Sequence, residues 1–189
     1  MDCLKALPME PYHTHSDVLV IGGGPAGSAT ATRLAQSGHS VTLIEKDHHP
    51  RFHIGESLLP LSIPYLEELG VLEEVDAIGV RKYAAEFHSM YHGRHVSFQF
   101  GEALRDDYPY AYEVQRSEFD EILIRKAQKA GVNVLEGYRV DQAEIANNTI
   151  NRVSAVGPDG QSKSFSAQFY VDASGRDTFM ADLLGIKRK

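Results

Sequence analysis

A single cysteine, Cys3, stands in this 189-residue sequence. One thiol forms no intramolecular disulfide, so the fold must rest on its own core, and a reducing compartment is the expected setting. Positive charge is in short supply. Nineteen Lys and Arg face 26 Asp and Glu, a formal net charge of −7, which argues against nucleic-acid or anionic-membrane partners that require a basic surface. No apolar run approaches the length of a membrane span. The opening MDCLKALPMEPYHTHSD carries no apolar signal core, so a cytoplasmic protein is expected. Internal repeats and low-complexity tracts are missing too. Nine histidines are present without forming a ligand pattern: His13 and His15 belong to the N-terminal stretch, His48, His49 and His53 flank Pro50, and His92 and His95 bracket a Gly-Arg pair. No cysteine joins them and no three fall at a ligand spacing, so no metal is expected.

What is present is an ordinary globular balance, 42% apolar and 24% charged, in a chain long enough for one substantial core. Residues 1–15 read as a tail and 16–189 as the folded body. Val18–Ile21 predicts a short strand, followed by a glycine turn and a helix rich in small residues (Ala26, Ala29, Ala31, Ala35), with Gly38 placed as its C-cap. Val41–Ile44 predicts a second strand ending in Glu45. This is a βαβ opening. Residues 58–79 have a helical pattern with prolines near the start and a break at Gly70. EFHSMYHGRHVSFQF alternates on both sides of HGRH and predicts a β-hairpin outside the parallel sheet. GEALRDDYP reads as a loop and YAYEVQ as a short strand. SEFDEILIRKAQKAG predicts a helix capped by Ser117, with Phe119, Ile122, Leu123 and Ala127 on one face. Several strands follow, with NN and PDG as turns, and the last is placed at Phe169–Val171. The expected fold class is therefore α/β, a Rossmann-like dinucleotide-binding domain with an additional antiparallel β-sheet or hairpin insertion.

Gly22, Gly24 and Gly27 give G-x-G-x-x-G between the first strand and the first helix. At this place the spacing has a mechanism. Gly22 permits a tight turn, Gly24 lets the backbone approach a pyrophosphate, and Gly27 lets the helix pack closely so that its N-terminal N–H groups face the phosphates. Pro25 and Ala26 complete the loop. Glu45 ends the next strand, where it can accept hydrogen bonds from an adenosine ribose, and Lys46 follows it. The fingerprint reads an ADP moiety, which FAD and NAD share. The alternative is a glycine turn that only packs.

VIGGGPAGSATATRLAQSGHSVTLIEK resembles the N-terminus of FAD-dependent monooxygenases. PRFHIGESLLP and VQRSEFDEILIRKAQKAGVNV, the latter similar to an Arg-x-x-Phe-Asp segment, narrow the resemblance to the flavin-dependent halogenases and their relatives. YVDASGRDTFMADLLG looks like the Asp-x-x-Gly segment of the same superfamily. The resemblance runs from about Asp17 to the end. It implies FAD as cofactor, with Gly22–Gly27, Glu45 and Lys46 on the ADP half. It places Arg51, Gly55, Glu56 and Ser57 along the flavin, Arg116 as a cation to the phosphate or ribityl region, and Asp172 and Gly175 closing the far side. The plain alternatives are surface cations for both arginines, a helix cap for Glu56 and a turn residue for Asp172. Relatives of this kind are longer and carry a tryptophan-containing signature. This sequence has no tryptophan, so it is expected to be the N-terminal portion of such a protein, truncated at its C-terminus.

The resemblance also gives Lys82 a setting. In halogenase chemistry, reduced flavin, O2 and halide generate hypohalous acid. A lysine at the start of a strand, between flavin and substrate, then holds the oxidant by hydrogen bonding or becomes a haloamine, and delivers electrophilic halogen to an electron-rich ring. RKYAAEF resembles that segment, and Lys82 falls on its lysine. The alternative is a solvated lysine beside Arg81. The implied partners are halide, a small aromatic substrate, free or carrier-tethered, and a separate flavin reductase. A hydroxylase or a geranylgeranyl-reductase-type flavoenzyme would share the cofactor, and a non-catalytic nucleotide-binding fragment is the reading from another class.

Overall fold

A computed structural model describes residues 13–102, 108–147 and 149–187. The first strand, β1, spans His13–Ile21, and helix α1 spans Pro25–Gln36. Strand β2 is Val41–Glu45, followed by short helices α2 (Ile63–Leu69) and α3 (Leu72–Ile78). Four small strands come next: β3 (Val80–Lys82), β4 (Ala84–Ser89), β5 (Arg94–Gln99) and β6 (Ala111–Glu113). Helix α4 is Arg116–Lys129. Then come β7 (Asn133–Glu136), β8 (Arg139–Ala146), β9 (Thr149–Val156) and β10 (Ser162–Asp172), with α5 (Phe179–Leu183) closing the described chain.

The central sheet has six strands in the order β7-β2-β1-β10-β9-β8. β7, β2, β1 and β10 are parallel, and β9 and β8 continue the sheet in antiparallel sense. The run Val18–Ile21 is apolar throughout because it is covered on both sides. Val18 and Val20 pack with Val41, Leu43, Ala31, Ile124 and Ala127, on the side of α1 and α4. Leu19 and Ile21 pack on the other side with Ile44, Val153, Ala155 and Phe165. A third cluster, with Ile63, Leu66, Val75, Tyr112 and Leu123 among its members, gathers α2, α3, β6 and α4. α1 opens on Pro25, a first-turn position where no N–H is lost, and Gly38, at φ +91°, follows its C-cap Ser37.

Three expectations change. β1 begins at His13, inside the stretch read as a tail. The polar residues His13–Ser16 pair by backbone with residues 164–167, His13 with Ser164 through Ser16 with Ala167, and such pairing leaves no apolar period to read. β10 likewise begins at Ser162, seven residues before the expected start. The helix cap is Gln115, not Ser117, so Arg116 enters the first turn, one turn before Asp120. The β8–β9 hairpin extends the central sheet through β10. The HGRH hairpin does lie outside that sheet: β4 and β5 form their own two-stranded ribbon, as do β3 and β6. Cys3, most of the tail and the centre of the GEALRDDYP loop fall outside the described residues, as does Asn148. Among the described residues, no helix is long and apolar enough to cross a membrane.

Candidate functional site

The parallel strands β1, β2 and β10 end together at one side of the sheet, where an open α/β sheet presents its crevice. A cleft of about 1280 Å³ opens there. It is lined by Gly22, Gly24, Pro25 and Ala26 after β1, by Glu45, Lys46 and Asp47 at the end of β2, and by Ala173, Ser174 and Gly175 after β10. The glycines divide by role. A Cβ on Gly27 would lie 1.9 Å from the Gly22 carbonyl oxygen, and one on Gly22 would lie 2.4 Å from the Ala173 carbonyl oxygen. These two interlock the loop with the helix and with the chain beyond β10. A Cβ on Gly24 would meet only Nη2 of Arg51, at 3.7 Å. Gly24 is open on the cleft side, so backbone approach by a ligand is the reason left for its lack of a side chain.

Glu45 is buried and binds the loop directly. Its Oε2 accepts the Gly23 N–H at 2.5 Å and its Oε1 the Asp47 N–H at 2.8 Å. A carboxylate has lone pairs beyond these two, so an acceptor for ribose hydroxyls remains at the cleft wall. Lys46 donates to Asp177, and that ammonium holds the Asp177 carboxyl below its ordinary range. Asp172 does not line the cleft. Desolvation raises its pKa, but hydrogen bonds from the Ser174 hydroxyl (2.5 Å), the Ser174 N–H (3.0 Å) and the Met180 N–H (2.8 Å) outweigh it and leave the carboxyl below the ordinary value. Its work is to shape the turn that presents Gly175, at φ +67°.

The loop between β2 and α2 crosses the cleft. Arg51, Phe52, His53 and Ile54 line it, together with Arg116 from α4. Behind both arginines lies Asp120, whose side chain is wholly buried. It accepts from Arg116 Nε at 2.7 Å and Nη2 at 3.0 Å, and stands 3.6 Å from Arg51 Nη1. Arg116 also donates from Nη1 to the Ile54 and Gly55 carbonyls at 2.9 and 3.3 Å. Gly55, at φ +103°, is thus close to Arg116 rather than to the cleft space. Further along, Glu56 caps no helix; its carbonyl accepts the Val114 N–H at 2.9 Å. Ser57 forms a β-bridge with Glu113.

Lys82 meets that same Ser57. It is the last residue of β3, two before β4, not the first residue of a strand, because β3 ends where its pairing with Ala111 ends. Alternate residues of a strand face opposite ways. Arg81 turns to Asp76, at 2.7 Å, and to the Tyr110 ring. Lys82 turns the other way, donating to Ser57 Oγ and, at 3.2 Å, to Glu113 Oε2, with its side chain 22% exposed. It is therefore not the freely solvated neighbour of Arg81. Nor does it line the cleft: it stands at the far end of the loop whose near end does.

A family model described as an FAD binding domain matches residues 15–189. The chain belongs to the FAD-binding domain family. Its cofactor is FAD, and its relatives are flavin-dependent halogenases. It is 42% identical over 165 residues to a tryptophan 2-halogenase of Chondromyces crocatus, covering 87% of this chain and 31% of that protein. It is 32% identical to a 1H-pyrrole-2-carbonyl-[peptidyl-carrier protein] chlorinase of Pseudomonas fluorescens, covering 92% and 42% respectively. Among solved structures, the myxobacterial chondrochloren halogenase CndH superposes with a TM-score of 0.81 at 35% identity, over 87% of this chain and 38% of that one. The chain thus spans less than half the length of the relatives it matches.

The residues present suit FAD: an open glycine at the helix N-terminus, an acceptor at the end of β2 and arginines across the cleft. Gly22, Gly24, Pro25, Ala26, Glu45, Lys46, Arg51, Arg116 and Gly175 line the cleft, whereas Gly27, Gly55, Glu56, Ser57, Lys82 and Asp172 do not. Sequence reasoning passed over Tyr138, Arg139 and Asp141, which form the cleft wall from β8 and its approach. It also passed over Asp120. The Arg-x-x-Phe-Asp segment carried that signal, since positions i and i+4 of a helix meet on one face. Among the described residues, no group of three or more His, Cys, Asp or Glu is placed to hold a metal ion.

Proposed function

We propose that this chain forms the FAD-binding part of a flavin-dependent halogenase acting on an electron-rich aromatic ring, with Lys82 as the residue that passes on the halogen. When bound and reduced, FAD supplies the reaction of O2 with halide that makes the oxidant. The chain's own residues divide the remaining work. Gly22–Gly27 and Glu45 hold the ADP half. Lys82 offers an ammonium whose hydrogen bonds hold an oxidised halogen species. A guanidinium at this position would not serve, since it is planar and always charged. The observation that carries the reading is the restraint on Lys82: the ammonium is largely shielded and fixed between Ser57 and Glu113, at the end of a loop that runs from the cleft. The relatives' names support a substrate that is aromatic, either free or tethered to a carrier. A separate flavin reductase is the proposed source of reduced flavin.

The test separates two readouts in an active full-length protein given reduced flavin, O2 and halide. Lys82→Ala is expected to leave flavin oxidation close to wild type, because the ADP contacts lie elsewhere, and to abolish halogenated product. Lys82→Arg is expected to fail in the same way. Halogenation by Lys82→Ala at near wild-type rate would overturn the assignment and favour a hydroxylase.

A further inference from the structure

We propose that Asp120 is a positioning residue for cofactor binding: it holds the Arg51 guanidinium over the glycine loop, where it takes the diphosphate of FAD. The two arginines reach Asp120 from different parts of the chain, Arg51 from the loop after β2 and Arg116 from the start of α4. Arg116 is largely committed. It gives two N–H groups to Asp120 and its Nη1 to the Ile54 and Gly55 carbonyls. Arg51 is not. Its side chain is only 15% exposed, yet its Nε is buried with no hydrogen-bond partner, and Asp120 approaches its Nη1 only to 3.6 Å. A guanidinium shielded from water and short of acceptors is costly unless something else accepts its protons. Its Nη2 stands 3.7 Å from the position of a Gly24 Cβ. An anion on the α1 N-terminus therefore has Arg51 directly across from it.

The charges fit. Arg51, Arg116 and the partial positive charge of the helix N-terminus stand against the buried Asp120 carboxylate and the half-exposed, solvent-screened Asp47. A diphosphate linkage carries two negative charges and offers several acceptors, which suits a planar five-donor group. Asp120 keeps Arg51 from swinging toward Asp47, whose carboxylate is 3.9 Å from Arg51 Nε. This inference rests on membership of the FAD-binding family and is independent of the role given to Lys82.

A positioning role and a purely electrostatic one predict opposite signs. Asp120→Asn removes a negative charge, so if the arginines acted only as charges, binding of an anion would tighten. If alignment matters, it weakens. The experiment titrates the 189-residue chain with ADP and with adenosine by calorimetry. The expected result is a preference of wild type for ADP that falls about tenfold in Asp120→Asn and in Arg51→Ala, with adenosine affinity unchanged. An Asp120→Asn variant that keeps or strengthens the ADP preference overturns the proposal, as does a wild-type chain with no ADP preference. Should Asp120→Asn not fold, Asp120→Glu carries the test. It keeps the charge and moves the carboxylate by one methylene, so a reduced ADP preference supports alignment and an unchanged one overturns it.

Discussion

At the scale of the residue, the glycine loop contains two different reasons for having no side chain, and they separate experimentally. Gly24→Val points its new carbons into the cleft, where only the end of Arg51 is near. It is expected to keep the melting temperature of the wild type and to lose FAD affinity by at least about tenfold. Gly27→Ala puts a methyl group against a backbone oxygen, which cannot be relieved by a rotamer change. It is expected to cost about 1–3 kcal/mol of stability or more. Thermal unfolding alongside FAD titration checks both. If Gly24→Val unfolds early while retaining FAD, the division of roles is wrong. The same contrast explains what was legible in the sequence. The motif identified the loop because glycine spacing is a one-dimensional signal. It also assigned the three glycines their roles, but not the partners that enforce them, because Ala173 and Arg51 are distant in the chain. Asp120 escaped for a related reason: it lies on the buried face of α4 with Leu123, Ile124 and Ala127, and one of its two cations, Arg51, comes from a distant loop.

At the scale of the element, the loop after β2 is pinned by a network around Glu136, the last residue of β7. Its Oε1 accepts the His49 N–H at 2.8 Å and pairs with His49 Nδ1 at 2.9 Å, and its Oε2 accepts from Arg125 at 2.7 Å. Burial pushes the Glu136 carboxyl up, but the Arg125 and His49 hydrogen bonds prevail and leave it below the usual value. A folded-state pKa below the unfolded one means a contribution that is complete above the ordinary carboxylate pKa, about 4.3. It fades as pH falls through the lowered folded value. Glu136→Gln is therefore expected to be less stable than wild type near neutrality, by about 1–3 kcal/mol, and the gap should close toward strongly acidic pH. Urea unfolding at several pH values checks this, and a gap independent of pH would exclude the ionised carboxylate as its source. The sequence announced the two elements joined here, α4 from its apolar face and β7 as one of the strands after it. It gave no sign of the tie between them, since charged residues at strand ends look alike whether paired or free. Polar strand segments were hidden in the same way. His13–Ser16 and Ser162–Ser164 pair through backbone groups that every residue carries.

At the scale of the whole molecule, two regions of unlike stability are built into one chain. The central strands carry side chains with no exposure, including Leu19, Val20 and Leu43. The β4–β5 ribbon has none buried: Phe87 and Phe98 meet edge to face at 5.7 Å but remain 63% and 54% exposed. An isolated two-stranded ribbon is marginal on its own. Native-state hydrogen exchange is expected to show amides of Phe87–Ser89 and Val96–Phe98 exchanging through low-energy local opening, while those of Val18–Ile21 and Val41–Ile44 exchange only with global unfolding. Equal protection in the two regions would overturn that division.

The position of β10 beside β1 has a consequence for how the protein is made. Ile21 pairs with Asp172, so the middle of the sheet joins the first and last strands of the described residues. On a ribosome adding about 5–20 residues per second, β1 emerges roughly 8–30 seconds before its partner. Throughout that interval β1 can pair with β2 on one side only, and its other edge carries the apolar run Val18–Ile21 in the open. The nascent chain is thus an unclosed sheet while the residues between Ile21 and Ser162 are added, a natural client for a chaperone that shields strand edges, and release from that dependence comes only when Ser162–Asp172 has cleared the exit tunnel.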